Sequence, residues 1–213
     1  MKIFSINSSS STNHINKVLN DIVLLIKTYN IGILPTDTIY GLVGICGQED
    51  VIKRLYEVKY RPSYKNFILQ VHDKLSLKKI VENFDERLEK IIDAFLPGGL
   101  TLVCKASKFL KNEYKWDSDT VAVRIPDHKV LLSILKVLDQ PLIVTSANIS
   151  GQKTANNFKD VVSIFKNKID FALNTNCTCN TTPSTIIDFT KEKITVLREG
   201  VISAEKIFKI INS

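Results

Sequence analysis

Apolar residues alternate between helical and strand spacing along the chain. From residue 15 to residue 29 they recur at intervals of three and four, which predicts a helix that starts near Thr12 or Asn13 and stops before Gly32. Short apolar runs predict strands at 31–34, 67–71, 100–104, 120–124, 142–145, 169–173, 185–189 and 194–197. Helical spacing between them predicts helices near 50–58, 75–82, 85–95, 129–138, 158–166 and 203–211. We therefore predict a single α/β domain, with a twisted, open, mixed sheet and flanking helices.

The first residues of the chain are polar. Residues 1–11, with a serine run at 8–11, are predicted to form a polar N-terminal extension before the first helix cap, and residues 12–213 to form one domain. The segment lacks the apolar stretch of about 7 to 15 residues that a secretory signal needs. The longest purely apolar run covers 22–26, far short of the roughly 18 to 20 residues that span a bilayer. We expect a cytoplasmic protein without a transmembrane helix or a membrane partner.

The charge of the chain adds a bias toward anionic partners. Its 213 residues include 29 Lys and Arg against 22 Asp and Glu, which gives a formal net charge of +7. Such a surplus favours phosphate-bearing partners, such as nucleotides or RNA, without distinguishing between them.

The cysteines indicate neither disulfides nor a metal site. Cys104 lies in the apolar run LTLVC and is expected to be a small buried hydrophobe, as is usual for a free cysteine. Cys177 and Cys179 are separated by one residue, and no second pair or nearby histidine completes a zinc set. We expect no metal held by protein ligands.

Polar residues cluster just past the predicted strand ends, where open α/β sheets place their sites. The segment 35–41, PTDTIYG, puts two threonines and a tyrosine in one turn; the plainer alternative is that its Thr and Asp only bond the backbone. The segment 59–65, KYRPSYK, presents three cations, and Pro62 pushes Arg61 out of helical geometry onto a loop. Arginine and lysine beside a strand end suit a polyphosphate. A merely solvated basic loop is the alternative.

Two more segments combine a turn or a strand end with unusual residues. PGGLT, at 97–101, predicts a tight turn, and two glycines would also let a ligand approach the backbone. Arg124 falls at the end of an apolar strand, where a charge is rarely buried without a partner. That partner could be a ligand, or alternatively Asp127 or Asp37 in a structural ion pair.

The last candidate segments follow the same pattern. The predicted strand at 142–145 opens into TSANISG, which is rich in hydroxyls and amides and could alternatively cap the next helix. Ser184 and Arg198 each lie at one end of an apolar strand. The stock patterns GxxxxGK[ST], GxGxxG, GxSxG and HExxH are all missing from the sequence. A site of Arg, Lys, Thr, Ser and Asn suits chemistry in which the protein aligns anionic partners and neutralises their charge.

These segments also carry a family resemblance. In chain order they read PTDTIYGL, KYRPSYKN, PGGLT, VAVRIPDH, TSANISG, STIID and LREG. In this order they resemble the YrdC-type domain of the L-threonylcarbamoyladenylate synthase family, over about residues 12–205. The resemblance implies a nucleotidyltransferase that converts L-threonine, bicarbonate or carbon dioxide, and ATP into threonylcarbamoyl-AMP and diphosphate. It also implies that the downstream tRNA threonylcarbamoyltransferase machinery uses this product for the t6A modification of tRNA. Longer members add a C-terminal domain, and this chain resembles the short, single-domain form.

The resemblance also implies site residues. It gives Arg61 and Lys65 the catalytic role of holding the ATP phosphates, and Arg124 the role of pairing with the amino-acid carboxylate. The full implied nucleotide set is Lys59, Arg61, Lys65, Thr120, Ser146, Asn148, Thr154 and Arg198, and the implied threonine set is Thr36, Thr38, Tyr40, Gln70, Arg124, Val144 and Ser184. The chain departs from many members in having Gln70 in place of a histidine that contacts threonine, and Gly99 in place of proline.

The implied chemistry depends on charge more than on acid–base residues. A carbamate formed on threonine is already an oxygen nucleophile, so its attack on ATP needs no general base. Mg²⁺ held mainly by the ATP phosphates is the expected cofactor. Two alternatives remain: a module that binds double-stranded RNA or tRNA without turnover, and a relative that forms a carbamoyl adenylate from carbamoyl phosphate.

Overall fold

The computed structural model describes residues 1–63, 66–155, 157–175 and 182–211. Within these ranges the chain forms ten strands: β1 (Lys2–Ser5), β2 (Gly32–Leu34), β3 (Gly41–Ile45), β4 (Ile68–Gln70), β5 (Leu100–Lys105), β6 (Thr120–Arg124), β7 (Leu142–Ser146), β8 (Phe171–Asn174), β9 (Thr185–Asp188) and β10 (Thr195–Arg198). The same ranges contain eight helices: α1 (Thr12–Lys27), α2 (Glu49–Lys59), α3 (Lys74–Ile80), α4 (Glu86–Phe95), α5 (Lys108–Glu113), α6 (Lys129–Leu138), α7 (Phe158–Phe165) and α8 (Ala204–Ile211).

All ten described strands belong to one mixed sheet. Its order is β1-β8-β2-β3-β7-β4-β6-β5-β9-β10. The pairs β1–β8, β8–β2, β4–β6 and β5–β9 are parallel, and the other neighbours are antiparallel. The predicted single-domain α/β fold with a large, open, mixed sheet is confirmed.

The core is built from the apolar runs that predicted the strands. Every residue of β2 and β3 is buried, and α1 contributes Val18, Ile22, Val23 and Ile26. Helix α2 lies close against β3, because Gly44 leaves no side chain between them. A Cβ at Gly44 would come within 2.5 Å of the Val51 side chain. The close approach of helix and strand therefore depends on glycine at this position.

Side-chain caps fix several helix starts. The Ser11 hydroxyl accepts from the backbone N–H of His14, so α1 begins at Thr12, as predicted. Asp85 caps α4 in the same way by accepting from the backbone N–H of Leu88. Cys46 and Cys104 are free and buried, as expected for Cys104, whereas Cys177 and Cys179 lie outside the described residues.

The sequence pattern missed three elements: β1, β3 and α5. The prediction of 1–11 as a mere extension is wrong for residues 2–5, because β1 pairs in parallel with β8, with Lys2 opposite Phe171. Only Phe4 of β1 is buried, so this edge strand has no apolar periodicity. Strand β3, GLVGI, contains two glycines, which are depleted in strands. Helix α5 has six residues, too few for a periodic pattern.

Candidate functional site

A cavity of about 330 Å³ lies against the sheet where β7, β4, β6, β5 and β9 run side by side. Apart from Thr145 of β7, alternate residues of these strands line it: Val144 and Ser146 on β7, Ile68 and Gln70 on β4, Thr120, Ala122 and Arg124 on β6, Val103 on β5, and Ser184 and Ile186 at β9. This spacing follows from the two-residue period of strands, which sends every second side chain to the same face.

The floor of the cavity is an apolar row across four strands. Val144 pairs with Ile68, Ile68 with Ala122, and Ala122 with Val103. Polar residues occupy the positions on either side of this row. The floor therefore suits an apolar group or a flat ring, and the sides suit polar groups.

The turn between β2 and β3 is held by the hydroxyl of Thr36. Its Oγ1 donates to the carbonyl oxygen of Ile39 at 2.7 Å and accepts from the backbone N–H groups of Thr38 and Ile39, at 3.1 and 3.2 Å. One donor and two acceptors are the full capacity of a hydroxyl. Thr36 therefore stabilises the turn. For this residue, the alternative that the threonines of segment 35–41 bond the backbone is confirmed.

Arg124 is buried at the end of β6, with 3% of its surface exposed, and holds three elements together. Its Nε donates to the carbonyl oxygen of Gly98 at 2.7 Å, Nη1 to the hydroxyl of Thr38 at 2.9 Å, and Nη2 to Oδ2 of Asp37 at 2.6 Å. The structural ion pair weighed for this arginine is thus formed with Asp37. Burial lowers the pKa of Arg124, and the charge of Asp37 opposes that shift.

The guanidinium of Arg124 keeps donors for a ligand. A guanidinium has five N–H groups, and the contacts with Gly98, Thr38 and Asp37 use three of them. Because Arg124 lines the cavity, the remaining two can serve an anion bound there. Such a rigid, buried arginine is suited to the two oxygens of a carboxylate.

Thr38 offers a hydroxyl proton beside Arg124. Its Oγ1 accepts from Nη1 of Arg124 and lies 3.1 Å from Oγ1 of Thr36. Since both lone pairs of Thr36 already accept backbone N–H groups, the Thr38 proton is better placed to donate into the cavity. Thr38 is 2% exposed, so this donor is desolvated until a ligand arrives.

Ser184 joins a second arginine to the site. Its hydroxyl lies 2.8 Å from that of Thr101, and Nη2 of Arg198 donates to its carbonyl oxygen and hydroxyl, at 2.8 and 3.2 Å. Desolvation and the charge of Arg124 both lower the pKa of Arg198. Two guanidinium groups that repel each other across a cavity favour an anion between them.

Arg61 is the third cation of the cavity wall. Its Nη2 donates to the carbonyl oxygen of Asn66 at 2.7 Å, and its guanidinium lies 5.2 Å from the ring centroid of Phe67. The described residues of the wall thus include three arginines and no carboxylate. The wall is cationic and suits a polyanion.

Lys59 has a different place from the one expected of an ATP ligand. It is 1% exposed and is not among the described residues that line the cavity. Its Nζ donates to the carbonyl oxygen and hydroxyl of Ser146, at 2.5 and 3.2 Å, and to the carbonyl and amide oxygens of Asn148, both at 2.9 Å. Burial and the nearby charge of Arg61 lower the pKa of Lys59 to about 7.

The structure brings most of the predicted site residues together. The cavity is lined by Thr36, Thr38, Tyr40, Arg61, Gln70, Thr120, Arg124, Val144, Ser146, Ser184 and Arg198. Asn148 and Thr154 follow β7 in the chain and are not among the described residues that line the cavity. Lys65 lies outside the described residues.

Sequence reasoning missed most of the apolar floor of the cavity. Ile68, Val103, Ala122 and Ile186 line the cavity, and none of them carries polar chemistry that would mark it. For Ile68, Ala122 and Ile186 the available signal was a spacing of two residues from Gln70, Arg124 and Ser184, whereas Val103 had no such signal. Asp37 was weighed only as one of two structural partners for Arg124, not as a site residue.

Two negative findings apply to the described part of the chain. None of its helices is both long enough and apolar enough to cross a bilayer. Within the same residues, no cluster of three or more His, Cys, Asp or Glu side chains is arranged to hold a metal ion.

The fold and the site define a class of protein: an α/β protein with a large mixed sheet and a cavity lined by three arginines on one sheet face. The chain belongs to the Sua5/YciO/YrdC family, since the family model described as "Telomere recombination" matches residues 25–200.

Relatives with curated names are similar over most of this chain. The threonylcarbamoyl-AMP synthase of Pyrococcus abyssi is 33% identical over 177 residues, which cover 83% of this chain and 52% of that protein. The putative threonylcarbamoyl-AMP synthase of Methanocaldococcus jannaschii is 31% identical over 207 residues, which cover 97% of this chain and 95% of that protein. This chain therefore spans about half the length of the Pyrococcus relative and nearly all of the Methanocaldococcus one.

The fold matches that of a solved relative. The crystal structure of Pyrococcus abyssi Sua5 complexed with L-threonine superposes with a TM-score of 0.87 at 28% sequence identity. The match covers 99% of this chain and 61% of that one.

Proposed function

We propose that this protein is an L-threonylcarbamoyladenylate synthase, a nucleotidyltransferase that makes threonylcarbamoyl-AMP and diphosphate from L-threonine, bicarbonate or carbon dioxide, and ATP. The observation that carries the proposal is the cavity wall, in which Arg61, Arg124 and Arg198 surround an apolar floor. The names of the Pyrococcus and Methanocaldococcus relatives support the same activity.

The threonine side of the proposed site is built around Arg124. Its two remaining N–H donors would bind the substrate carboxylate, and Asp37 holds the guanidinium in the required orientation. The hydroxyls of Thr38 and Ser184 would hydrogen-bond to polar atoms of the amino acid, while Val144 and Tyr40 supply apolar surface. Gln70, which is 3% exposed, presents an Oε1 that has no partner among the described residues and would accept from a substrate N–H or O–H group.

The nucleotide side is assigned to the remaining cations and hydroxyls of the cavity. Arg61 would bind ATP phosphates together with Lys65, and Arg198 would supply a further cation. Thr120 and Ser146 line the same cavity and would bind the nucleotide through their hydroxyls. The apolar floor formed by Val144, Ile68, Ala122 and Val103 carries no polar side chains, so it leaves space for the two substrates to meet.

The proposed reaction has two steps. The neutral amine of threonine combines with carbon dioxide to give a carbamate and a proton, or with bicarbonate to give a carbamate and water. A carbamate oxygen then attacks the α-phosphorus of ATP, a P–O bond to the adenylate forms, and the bond to the β-phosphate breaks so that diphosphate leaves. The protein's task is to bring an anion against a polyanion, which the arginines of the wall do by neutralising charge in fixed positions.

Mg²⁺ is proposed to accompany ATP. The described residues of the cavity wall offer hydroxyls, amides and guanidinium groups but no carboxylates, and Mg²⁺ is commonly bound through substrate phosphates. Bound in this way, the ion would neutralise phosphate charge and would need few protein ligands. A role in tRNA t6A modification, with downstream tRNA threonylcarbamoyltransferases and a cytoplasmic location, belongs to the same proposal.

The test is product formation by the purified chain. We expect ATP, L-threonine and bicarbonate with Mg²⁺ to give diphosphate and a mixed anhydride of the mass of threonylcarbamoyl-AMP. Omission of threonine or of bicarbonate is the matched control and should abolish diphosphate release. RNA binding without any diphosphate release would instead favour the binding module, and release that needs carbamoyl phosphate but not threonine would favour the carbamoyl-adenylate-forming relative.

A further inference from the structure

Lys59, the last residue of α2, is hydrogen-bonded to the turn that follows β7 through both its side chain and its backbone. Its ammonium donates to four oxygens of Ser146 and Asn148. Its carbonyl oxygen accepts from the backbone N–H of Ser150 at 2.9 Å. The segment 146–150, here named the β7 turn, is therefore fastened to the end of α2 at three of its residues.

The ammonium has no capacity left for a phosphate. A lysine carries three N–H donors, and four acceptor oxygens already lie within 3.2 Å of Nζ. The side chain is also 1% exposed, so a phosphate could reach it only if the β7 turn moved away. Among the described residues no carboxylate forms an ion pair with Lys59, and neutral oxygens of the turn alone compensate its burial.

The β7 turn is also bonded within itself. The hydroxyl of Ser146 donates to Oδ1 of Asn148 at 2.6 Å, and Nδ2 of Asn148 donates to the carbonyl oxygen of Gln152 at 2.5 Å. Both oxygens of Asn148 and both oxygens of Ser146 thus face the same ammonium. Removal of that ammonium would leave buried or half-buried acceptors unpaired and would free the turn to change its conformation.

We propose that Lys59 is a positioning residue that anchors the β7 turn and thereby presents Ser146 to the nucleotide, and that it is not itself a ligand of the ATP phosphates. The inference rests on the proposed function for the nucleotide, but the anchoring itself does not. Ser146 is the link, because it lines the cavity with one side and accepts from Lys59 with the other.

The anchoring is tested first without any substrate. Amide hydrogen exchange of Asn148 and Ser150 is compared in the wild type, in Lys59→Met and in Arg54→Met. Arg54 is the matched control, because it lies on the same helix but bonds Asp170, at 2.6 and 2.9 Å, instead of the β7 turn. We expect Lys59→Met to speed exchange in the turn at least tenfold and Arg54→Met to leave it unchanged; equal exchange in Lys59→Met and the wild type would overturn the proposal.

The link to the nucleotide is tested by titration calorimetry with ATP in a double-mutant cycle. We expect Lys59→Met to weaken ATP binding about tenfold in the wild-type background and less than threefold in the Asn148→Ala background, because both changes release the same turn. Equal, additive losses in the two backgrounds would mean an independent phosphate contact and would overturn the proposal. If Lys59→Met does not fold, the exchange rates of Asn148→Ala decide, since this change breaks the same anchor from the turn; unchanged exchange at Ser150 would overturn the proposal.

The two measurements separate this inference from the proposed function. A wild-type chain that binds no ATP would contradict the proposed function and the nucleotide part of the inference. The exchange rates would still decide, with no nucleotide present, whether Lys59 anchors the turn.

Discussion

Arg124 and Asp37 form a buried ion pair, in which Nη2 of the arginine lies 2.6 Å from Oδ2 of the aspartate and the two side chains are 4% and 16% exposed. Asp37 belongs to the turn between β2 and β3, and Arg124 ends β6, so the pair locks two distant parts of the chain together. Breaking a buried pair from one side typically costs about 3 to 5 kcal/mol. The orientation of Arg124 is thus set before any substrate binds.

We predict that Arg124→Lys selectively weakens the use of threonine. A lysine keeps the charge but cannot bond Gly98, Thr38 and Asp37 while also offering two parallel donors to a carboxylate. The KM for threonine should rise at least tenfold, while the Kd for ATP stays within about threefold. Steady-state kinetics and ATP calorimetry measure the two effects, and a selective loss of ATP affinity would move Arg124 to the nucleotide side.

We predict that Arg61→Ala abolishes turnover and leaves the fold intact. Removal of one preorganised donor to developing charge costs about 3 kcal/mol or more, and each factor of ten corresponds to 1.36 kcal/mol. Turnover should therefore fall by more than about a hundredfold. Arg87→Ala is the control, because Arg87 bonds Asp85 and Glu192 outside the cavity. An Arg61→Ala variant that keeps more than about a tenth of wild-type turnover would argue against the phosphate clamp.

We predict that serine is a poor substrate and valine a worse one. Serine lacks one methyl, and an apolar wall such as Val144 converts that difference into about 1 to 3 kcal/mol, or roughly 10 to 200-fold. Valine keeps the shape but loses the hydroxyl, which would leave a buried polar group of Thr38 or Ser184 unpaired. Diphosphate release is measured at saturating ATP and bicarbonate while each amino acid is titrated. If the rate with valine equals the rate with serine, these hydroxyls do not hydrogen-bond to the substrate side chain.

The polar part of the site was predictable from the sequence, and most of its apolar floor, apart from Val144, was not. Arg124 interrupts the apolar run VAVRI, Thr38 lies in the turn after a predicted strand, and Ser184 directly precedes another, and polar residues at strand ends are conspicuous. Ile68 and Ala122 are ordinary strand residues, and they become a floor only because β4 and β6 are neighbours in the sheet. Strand order is a non-local property, so no local pattern contains it.

The place of Lys59 shows a second limit of sequence reasoning. KYRPSYK presents Lys59 and Arg61 two residues apart, and both were assigned to ATP phosphates. Helix α2 ends at Lys59, so Arg61 lies beyond the helix and lines the cavity. The ammonium of Lys59 instead donates to the carbonyl oxygen of Ser146. Burial, which separates the two cations, depends on the contact between the end of α2 and the β7 turn and cannot be derived from their spacing.

We predict that Gly41→Ala destabilises the protein and that Val144→Ala relieves the effect. A Cβ at Gly41 would lie 2.7 Å from Cγ1 of Val144 and 3.6 Å from Cγ2 of Thr36. Overpacking of this kind costs about 1 to 3 kcal/mol. Denaturant unfolding should show this loss for Gly41→Ala and a smaller loss when Val144→Ala is added than the sum of the single changes. Full additivity would show that the Val144 contact is not the cause.

We predict a fall in stability at alkaline pH that originates in the buried thiols. Burial raises the pKa of Cys46 and of Cys104 from 9.0 to about 12. Thiols of the unfolded chain ionise near pH 9, whereas the folded thiols stay neutral, so the unfolded state gains stability as pH rises from about 9 toward 12. Each pH unit in this window costs the fold up to about 1.4 kcal/mol per thiol.

The thiol prediction is checked by comparing the wild type with Cys46→Ala. The difference in free energy of unfolding should be constant below pH 8 and should shrink between pH 9 and 10.5, because only the wild type loses stability through this thiol. A difference that is independent of pH throughout would contradict the burial of a neutral thiol.

The apolar floor also ties ligand binding to folding. Its side chains, Ile68, Val103, Ala122 and Val144, come from four strands that are adjacent in the sheet but distant along the chain. The pairings of Ile68 with Val144 and with Ala122 each close a long loop, which is slow and has an entropic cost before any contact is gained. A nucleotide added to a refolding mixture is therefore expected to bind only molecules whose central sheet is already assembled. Once bound, the same ligand would stabilise the whole sheet by mass action. The lifetime of the folded protein would then increase with the concentration of that ligand.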